Sequence, residues 1–150
     1  MRFKFLAVLA LVTLVSACAG TEGTGTAGGG VTPGTQEDLV VNVGDRVFFE
    51  FDKYNLDDNA RRTLEKQAAW LKTNTGNSVT IEGHCDERGT REYNIALGER
   101  RANAAKDYLV ALGISPNRIK TISYGKERPV ALGSNEAAWS QNRRGVTQVN

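Results

Sequence analysis

The chain has 150 residues, of which 40% are hydrophobic, 7% aromatic and 24% charged. This length suits one domain of ordinary size, and the composition excludes a wholly disordered chain. Without Arg2 and Lys4, the only charged residues before position 18, the chain has 17 basic and 17 acidic residues. A domain without a basic excess is a poor candidate for binding nucleic acid, because that task requires neutralising phosphates.

The first 18 residues, MRFKFLAVLALVTLVSAC, have the pattern of an export signal. Arg2 and Lys4 precede an apolar run over 5–15, which is shorter than the roughly 20 residues of a membrane-spanning helix. The run ends in Val15-Ser16-Ala17-Cys18, which resembles the bacterial lipobox. We predict a signal peptide over 1–17 and lipidation of Cys18; the alternative is a plain signal peptide with an incidental cysteine.

The residue after Cys18 bears on the destination of a lipidated chain. Ala19 stands where an inner-membrane retention signal of the enterobacterial kind has Asp. By that resemblance, the chain is expected in the outer membrane. Residues 19–34, AGTEGTGTAGGGVTPG, contain seven of the 16 glycines and few apolar side chains. We therefore predict a lipidated cysteine and flexible tether over 18–44, followed by one folded domain over 45–150.

Hydrophobic periodicity and breaker residues predict the elements of that domain. Ala60, Leu64, Ala68 and Leu71 recur at helical spacing, for example, while Val79 and Ile81 alternate with polar residues. In chain order the predicted elements are strand 47–51, helix 58–73, strand 78–84, helix 91–112, strand 119–123, a short helix 135–142 and strand 145–149. This order predicts an α/β (α+β) two-layer sandwich, with enough core to fold alone.

The densest polar stretch is GHCDERGT, which leaves a predicted strand and enters a helix. A metal site at His84, Cys85, Asp86 and Glu87 is disfavoured, because consecutive residues cannot all converge on one ion. A Cys85 nucleophile with a His84 base is also disfavoured, because neighbours on a strand point to opposite faces. Cys85 is best interpreted as a small, buried and inert residue.

Two interpretations of the remaining charges stay open. Asp86 in the loop and Arg101 on the following helix have the chemistry to bind a zwitterionic ligand, since aspartate accepts hydrogen bonds from ammonium and arginine binds carboxylates bidentately. Alternatively, the two side chains form a salt bridge that joins the loop to the helix.

GHCDERGTREYNIALGERRANAAKDYL, with FFEFDKY before it and SYGKERP and NRR after it, closely resembles the lipoprotein branch of the OmpA-like domain family. The resemblance covers about residues 45–150. It implies a βαβαββ fold with helices packed on one mixed sheet, and a site for the diaminopimelate of peptidoglycan stem peptides. In that site Asp86 receives the ligand ammonium, Arg101 binds its carboxylate, Phe51 and Asp52 line the pocket, and Leu97 packs against the ligand stem. We interpret 142–144 as a solvated end near the last strand.

The resemblance also implies a function. It implies a non-enzymatic outer-membrane lipoprotein, without metal or cofactor, that links the membrane to the cell wall. Its partners would be TolB and the other proteins of the Tol-Pal system, with a role in envelope integrity and in constriction at division. The alternatives are a wall-bound hydrolase or amidase, or a hydrolase accessory, with the same wall-binding surface, and a flagellar-stator-type anchor. A hydrolase or amidase needs a general base or a metal site, and a stator-type anchor needs a membrane-spanning helix before the domain.

Overall fold

The computed structural model describes residues 30–150. The predicted signal peptide, Cys18 and residues 19–29 of the predicted tether lie outside the described residues. The strands are β1 (Arg46–Phe48), β2 (Val79–His84), β3 (Ile119–Gly125) and β4 (Arg144–Val149). The helices are α1 (Gln36–Asp38, continued by a π-helical turn over Leu39–Val43), α2 (Asp58–Thr73), α3 (Arg91–Ala111) and α4 (Glu136–Asn142), and a 3₁₀ turn covers Pro116–Arg118. Within residues 30–150, no helix has the length and apolar character to span a membrane.

The four strands form one mixed sheet in the order β1-β4-β2-β3. Strand β4 is antiparallel to both of its neighbours, and β2 is parallel to β3. Helices α2 and α3 pack against one face of the sheet and enclose the core. Its most deeply buried apolar side chains, each at most 1% exposed, include Leu64, Leu71, Val79, Ile81, Leu109 and Ile119. The predicted α/β two-layer sandwich is therefore confirmed.

Strand β1 is shorter than predicted. It pairs with β4 only as far as Phe48, whereas the β-rich pattern predicted a strand to Phe51. The Phe49 N–H still donates to the carbonyl of Arg143 at 3.0 Å, and the chain then turns at 50–53, where the Lys53 N–H donates to the Glu50 carbonyl. Because the chain leaves the sheet here, Phe51 does not belong to a strand as predicted and is exposed on the surface.

The last strand is a central strand in spite of its polar residues. Thr147 is 3% exposed, and its hydroxyl donates to the side chain of Gln67 at 2.8 Å. Gln67 is fully buried and donates in turn to the carbonyl of Gly44. Because both polar groups are hydrogen-bonded, their burial carries no large desolvation penalty.

Residues 36–43, predicted to belong to the tether, are instead packed on the domain. Leu39 is fully buried in the main core. Asp38 accepts hydrogen bonds from the Trp70 indole and the Asn42 amide, both at 2.8 Å. The side chain of Gln36 bonds the backbone of β4. Since these contacts need partners far along the chain, the short apolar run alone did not indicate them.

Replacing Leu39 tests whether this segment contributes to the fold. We expect Leu39→Ala to lower the free energy of unfolding by about 2–5 kcal/mol, because it removes a buried side chain and leaves a cavity. Val41, which is 62% exposed, provides the matched control, and Val41→Ala should change stability by less than about 0.5 kcal/mol. Equal midpoints of urea denaturation for the two variants would contradict the packing of this segment.

His84, at the end of β2, lies on the sheet face opposite the main helices. It is 2% exposed, and its ring stacks on Tyr124 with centroids 5.5 Å apart. Within the described part of the chain, its Nδ1 has no hydrogen-bond partner. Burial, together with the charges of Arg144, Arg128 and Arg46, lowers the pKa of His84 to about 4.

This histidine predicts a pH dependence of stability. Between pH 6.5 and 4 the His84 side chain is protonated in the unfolded chain but not in the folded chain. The free energy of unfolding therefore falls as the pH falls. The free energy of unfolding should decrease by about 2 kcal/mol between pH 7 and pH 5 from this group. The chain has one histidine, so His84→Gln should flatten that part of the curve. A parent protein whose denaturation midpoint is constant from pH 7 to pH 5 would contradict the assignment.

Candidate ligand-binding cleft

A cleft of about 220 Å³ lies where β2 ends and α3 begins, with the turn at 50–53 as its opposite wall. The structure brings all five residues predicted for the binding site, Phe51, Asp52, Asp86, Leu97 and Arg101, to this one cleft. The other lining residues are Cys85, Arg88, Gly89, Tyr93 and Asn94.

Arg101 forms the floor of the cleft and is 1% exposed. Its guanidinium donates to three backbone carbonyls: Nε to Lys53 at 2.8 Å, Nη1 to His84 at 2.8 Å and Nη2 to Glu50 at 3.1 Å. These bonds use three of its five N–H groups. Within residues 30–150, no carboxylate forms an ion pair with it, and burial lowers the pKa of Arg101. The cleft therefore contains a desolvated cation with unused donors.

Two glycines allow α3 to approach β2 closely enough for these contacts. A Cβ on Gly83 would lie 1.8 Å from the carbonyl oxygen of Gly98, and a Cβ on Gly98 would lie 2.9 Å from the carbonyl oxygen of Gly83. Neither distance is compatible with a side chain at these positions. Arg101 follows Gly98 by one helical turn, so the close approach directs its guanidinium to the end of β2.

The turn at 50–53 has an unusual backbone at its third residue. Asp52 has φ of 58°, the only positive value at a non-glycine residue among residues 30–150. Its carboxylate accepts a hydrogen bond from the Tyr93 hydroxyl, which raises the pKa of Tyr93. Within the same described range, the backbone N–H groups of Phe51 and Asp52 donate no hydrogen bond to a protein acceptor. Free N–H groups at a turn that lines a cleft can bind anions.

Asp86 is 4% exposed and carries several hydrogen bonds. Arg88 donates through Nη2 at 2.7 Å, Nε at 3.2 Å and its backbone N–H at 3.0 Å. Arg143 donates through Nη1 at 3.3 Å. Burial alone would raise the pKa of Asp86, but the hydrogen bonds from the two arginines outweigh it and hold this pKa below its usual value. The carboxylate is therefore ionised at neutral pH. Arg101 is not among its partners, so the alternative of an Asp86–Arg101 salt bridge is wrong.

The interpretation of 142–144 as a solvated end is wrong. Asn142, Arg143 and Arg144 are each 4% exposed. Arg143 donates to the Phe49 carbonyl at 2.9 Å and pairs with Glu136 as well as with Asp86. Its burial is possible because acceptors from the residue after β1, the loop after β2 and α4 converge on it. The only signal in the sequence was that NRR belongs to the family pattern.

Asn142 and Arg144, the sequence neighbours of Arg143, make different contacts. The Asn142 side chain bonds the backbone at Val130 and Ala131 and holds that loop. Arg144 points to the opposite sheet face and donates to the carbonyls of Asn142 and Arg128. Neither residue lines the cleft.

Cys85 was predicted to be buried and inert. It is 3% exposed, and its thiol donates to the Asn94 carbonyl at 3.3 Å. Burial raises the pKa of this thiol, which disfavours the reactive thiolate. His84 lies on the other side of the sheet, so no base of that type faces the sulfur.

Relatives of the chain carry one common description. A peptidoglycan-associated lipoprotein of Rhizobium meliloti (strain 1021) is 56% identical over 125 residues, which are 83% of this chain and 71% of that protein. A peptidoglycan-associated lipoprotein of Pseudomonas putida is 42% identical over 159 aligned positions, covering 96% of this chain and 95% of that protein.

Solved structures agree with these sequence relationships. The peptidoglycan-associated lipoprotein from Burkholderia pseudomallei has a TM-score of 0.71 and 39% identity, covering 75% of this chain and all of that one. The C-terminal domain of Helicobacter pylori MotB has a TM-score of 0.65 at 20% identity, covering 71% of this chain and 85% of that one, and shares the fold alone. Residues 48–143 match the OmpA family. With this match and these relatives, the chain belongs to the OmpA family.

Proposed function

We propose that the cleft binds the zwitterionic end of the diaminopimelate side chain in peptidoglycan stem peptides. The observation that carries this proposal is the guanidinium of Arg101, which is buried, lines the cleft and lacks a carboxylate partner within residues 30–150. A buried charge without a counter-ion is costly in a folded protein. A ligand carboxylate on its unused N–H groups removes that cost.

The other lining residues complement the rest of this ligand. The free N–H groups of Phe51 and Asp52 support the carboxylate from the opposite wall. The ionised Asp86 is the acceptor for the ammonium group. Leu97, which is 4% exposed, offers apolar contact to the methylene stem. The set therefore contains one partner for each chemical part of the diaminopimelate terminus.

We infer a linking function from this binding and from the lipobox pattern. A lipidated Cys18 anchors the chain in the outer membrane, and the domain holds the wall without covalent chemistry. The relatives are named as peptidoglycan-associated lipoproteins, which supports this assignment. By the family resemblance, TolB and the other Tol proteins are the partners, and envelope integrity and constriction at division are the roles. The cleft needs only modest affinity, because a tethered domain facing a repeating polymer gains avidity.

A binding role suits the electrostatics of the cleft better than a hydrolytic one. A general acid at neutral pH needs a raised pKa, whereas the pKa of Asp86 is lowered. Burial raises the pKa of the Cys85 thiol, which disfavours it as a nucleophile. The charged groups of the cleft are thus suited to holding a ligand rather than to transferring protons.

The proposal is tested by three stem tripeptides that differ only at the end of the third side chain. Diaminopimelate ends in both charges, 2-aminopimelate in the carboxylate alone and lysine in the ammonium alone. Titration calorimetry of the full-length protein in detergent should give at least tenfold weaker binding for the lysine tripeptide, because Arg101 is left unpaired at a cost of about 1.4–3 kcal/mol. Equal affinity for the diaminopimelate and lysine peptides would contradict the Arg101 site.

Varying the ligand is preferable to deleting Arg101, because this residue also bonds three carbonyls of the fold. Arg101→Lys should weaken binding of the diaminopimelate tripeptide at least tenfold, since an ammonium cannot form the bidentate pair. Arg100→Lys is the matched control, because Arg100 is exposed, lies over the Tyr54 ring and does not line the cleft. Thermal denaturation must show that both variants are folded before their affinities are compared. Equal loss of affinity in both variants would overturn the assignment.

A further inference from the structure

Arg88 occupies the mouth of the cleft in a defined position. It lies in the loop between β2 and α3, and its guanidinium carbon is 3.9 Å from the ring centroid of Phe51 and 4.0 Å from that of Trp139. Its side chain is 31% exposed. Within residues 30–150, Asp86 is the only hydrogen-bond acceptor of its guanidinium. Two aromatic faces and one carboxylate therefore hold this cation in place.

The carboxylate of Asp86 has no free position for a further donor. Oδ1 accepts from the backbone N–H and Nε of Arg88, and Oδ2 accepts from Nη2 of Arg88 and Nη1 of Arg143. A carboxylate offers about four acceptor positions, so these four bonds fill it. An ammonium group can reach Asp86 only if one of the two arginines moves away.

Of the two arginines, Arg88 is the one able to leave. Arg143 is 4% exposed and is fixed by the Phe49 carbonyl and Glu136 in addition to Asp86. Arg88 belongs to a loop, and its head group can rotate into solvent. After its departure Asp86 keeps Arg143 and the Arg88 backbone N–H, so the buried carboxylate remains paired and ionised.

We propose that Arg88 is a latch, a side chain that occupies the ammonium position of Asp86 in the empty cleft and is displaced by the ammonium of the ligand. This inference rests on the proposed function. It makes Arg88 a competitor of the ligand rather than a contact to it. Removal of the Arg88 charge should therefore strengthen binding, and only for ligands that carry the ammonium group.

The test combines a protein variant with a ligand variant. Arg88→Gln in the full-length protein should bind the diaminopimelate tripeptide about fivefold more tightly than the parent, because no bidentate ion pair has to be broken. It should bind the 2-aminopimelate tripeptide no more tightly than the parent, because that ligand has no ammonium to compete for Asp86. Calorimetry measures all four affinities, and thermal denaturation checks that the variant is folded.

A second variant loosens the latch without changing the cleft lining. Trp139 contacts Arg88 but does not line the cleft, so Trp139→Leu should give a smaller gain with the same dependence on the ammonium. Weaker binding of both tripeptides by Arg88→Gln would make Arg88 a ligand contact and overturn the latch, while leaving the proposed function intact. An equal gain for both tripeptides, or no change for either, also overturns it. Failure of the parent to bind any tripeptide overturns the proposed function and the latch with it.

Discussion

The arrangement of the domain depends on the guanidinium of Arg101. Its three hydrogen bonds join α3 to the end of β2 and to the turn that follows β1. These segments are up to 51 residues apart in the chain. Backbone carbonyls at the end of a strand and in a turn can accept further donors, so a planar donor with several N–H groups suits them. The Glu50 carbonyl accepts from the Lys53 N–H as well as from Arg101. One side chain thereby satisfies three carbonyls and fixes both walls of the cleft.

The same geometry explains why the structural role of Arg101 cannot be separated from its proposed role in binding. Arg101 reaches the carbonyls because Gly83 and Gly98 let α3 approach the sheet, and a side chain at either glycine would separate them. Carbonyl dipoles stabilise the buried charge only in part, since none of them carries a formal negative charge. The positive charge of Arg101 is therefore incompletely compensated, and the proposed carboxylate ligand would supply the missing negative charge.

The sequence predicts the parts of this fold that depend on local chemistry. Helix α2 has the predicted bounds, since Asp57 caps its first turn and Asn74 ends it. Asp86 and Arg101 were identified by charge and motif. The burial of Arg143 was not predicted, because its acceptor at Phe49 is 94 residues away. For the same reason the sequence predicts a tether at the packed segment 36–43, since Leu39 contacts its neighbours only in the complete fold.

Segment 36–43 and the cleft lie at opposite ends of the domain. Gly34 is bonded by the Asn77 side chain, close to the start of β2, and Gln36 bonds the end of β4. The cleft lies at the other end of β2, and a strand of six residues extends roughly 20 Å. A chain anchored through its N-terminus would therefore enter the domain at one pole and present Arg101 at the opposite pole. In the proposed link between a membrane and a wall, this orientation would direct the cleft away from the anchor.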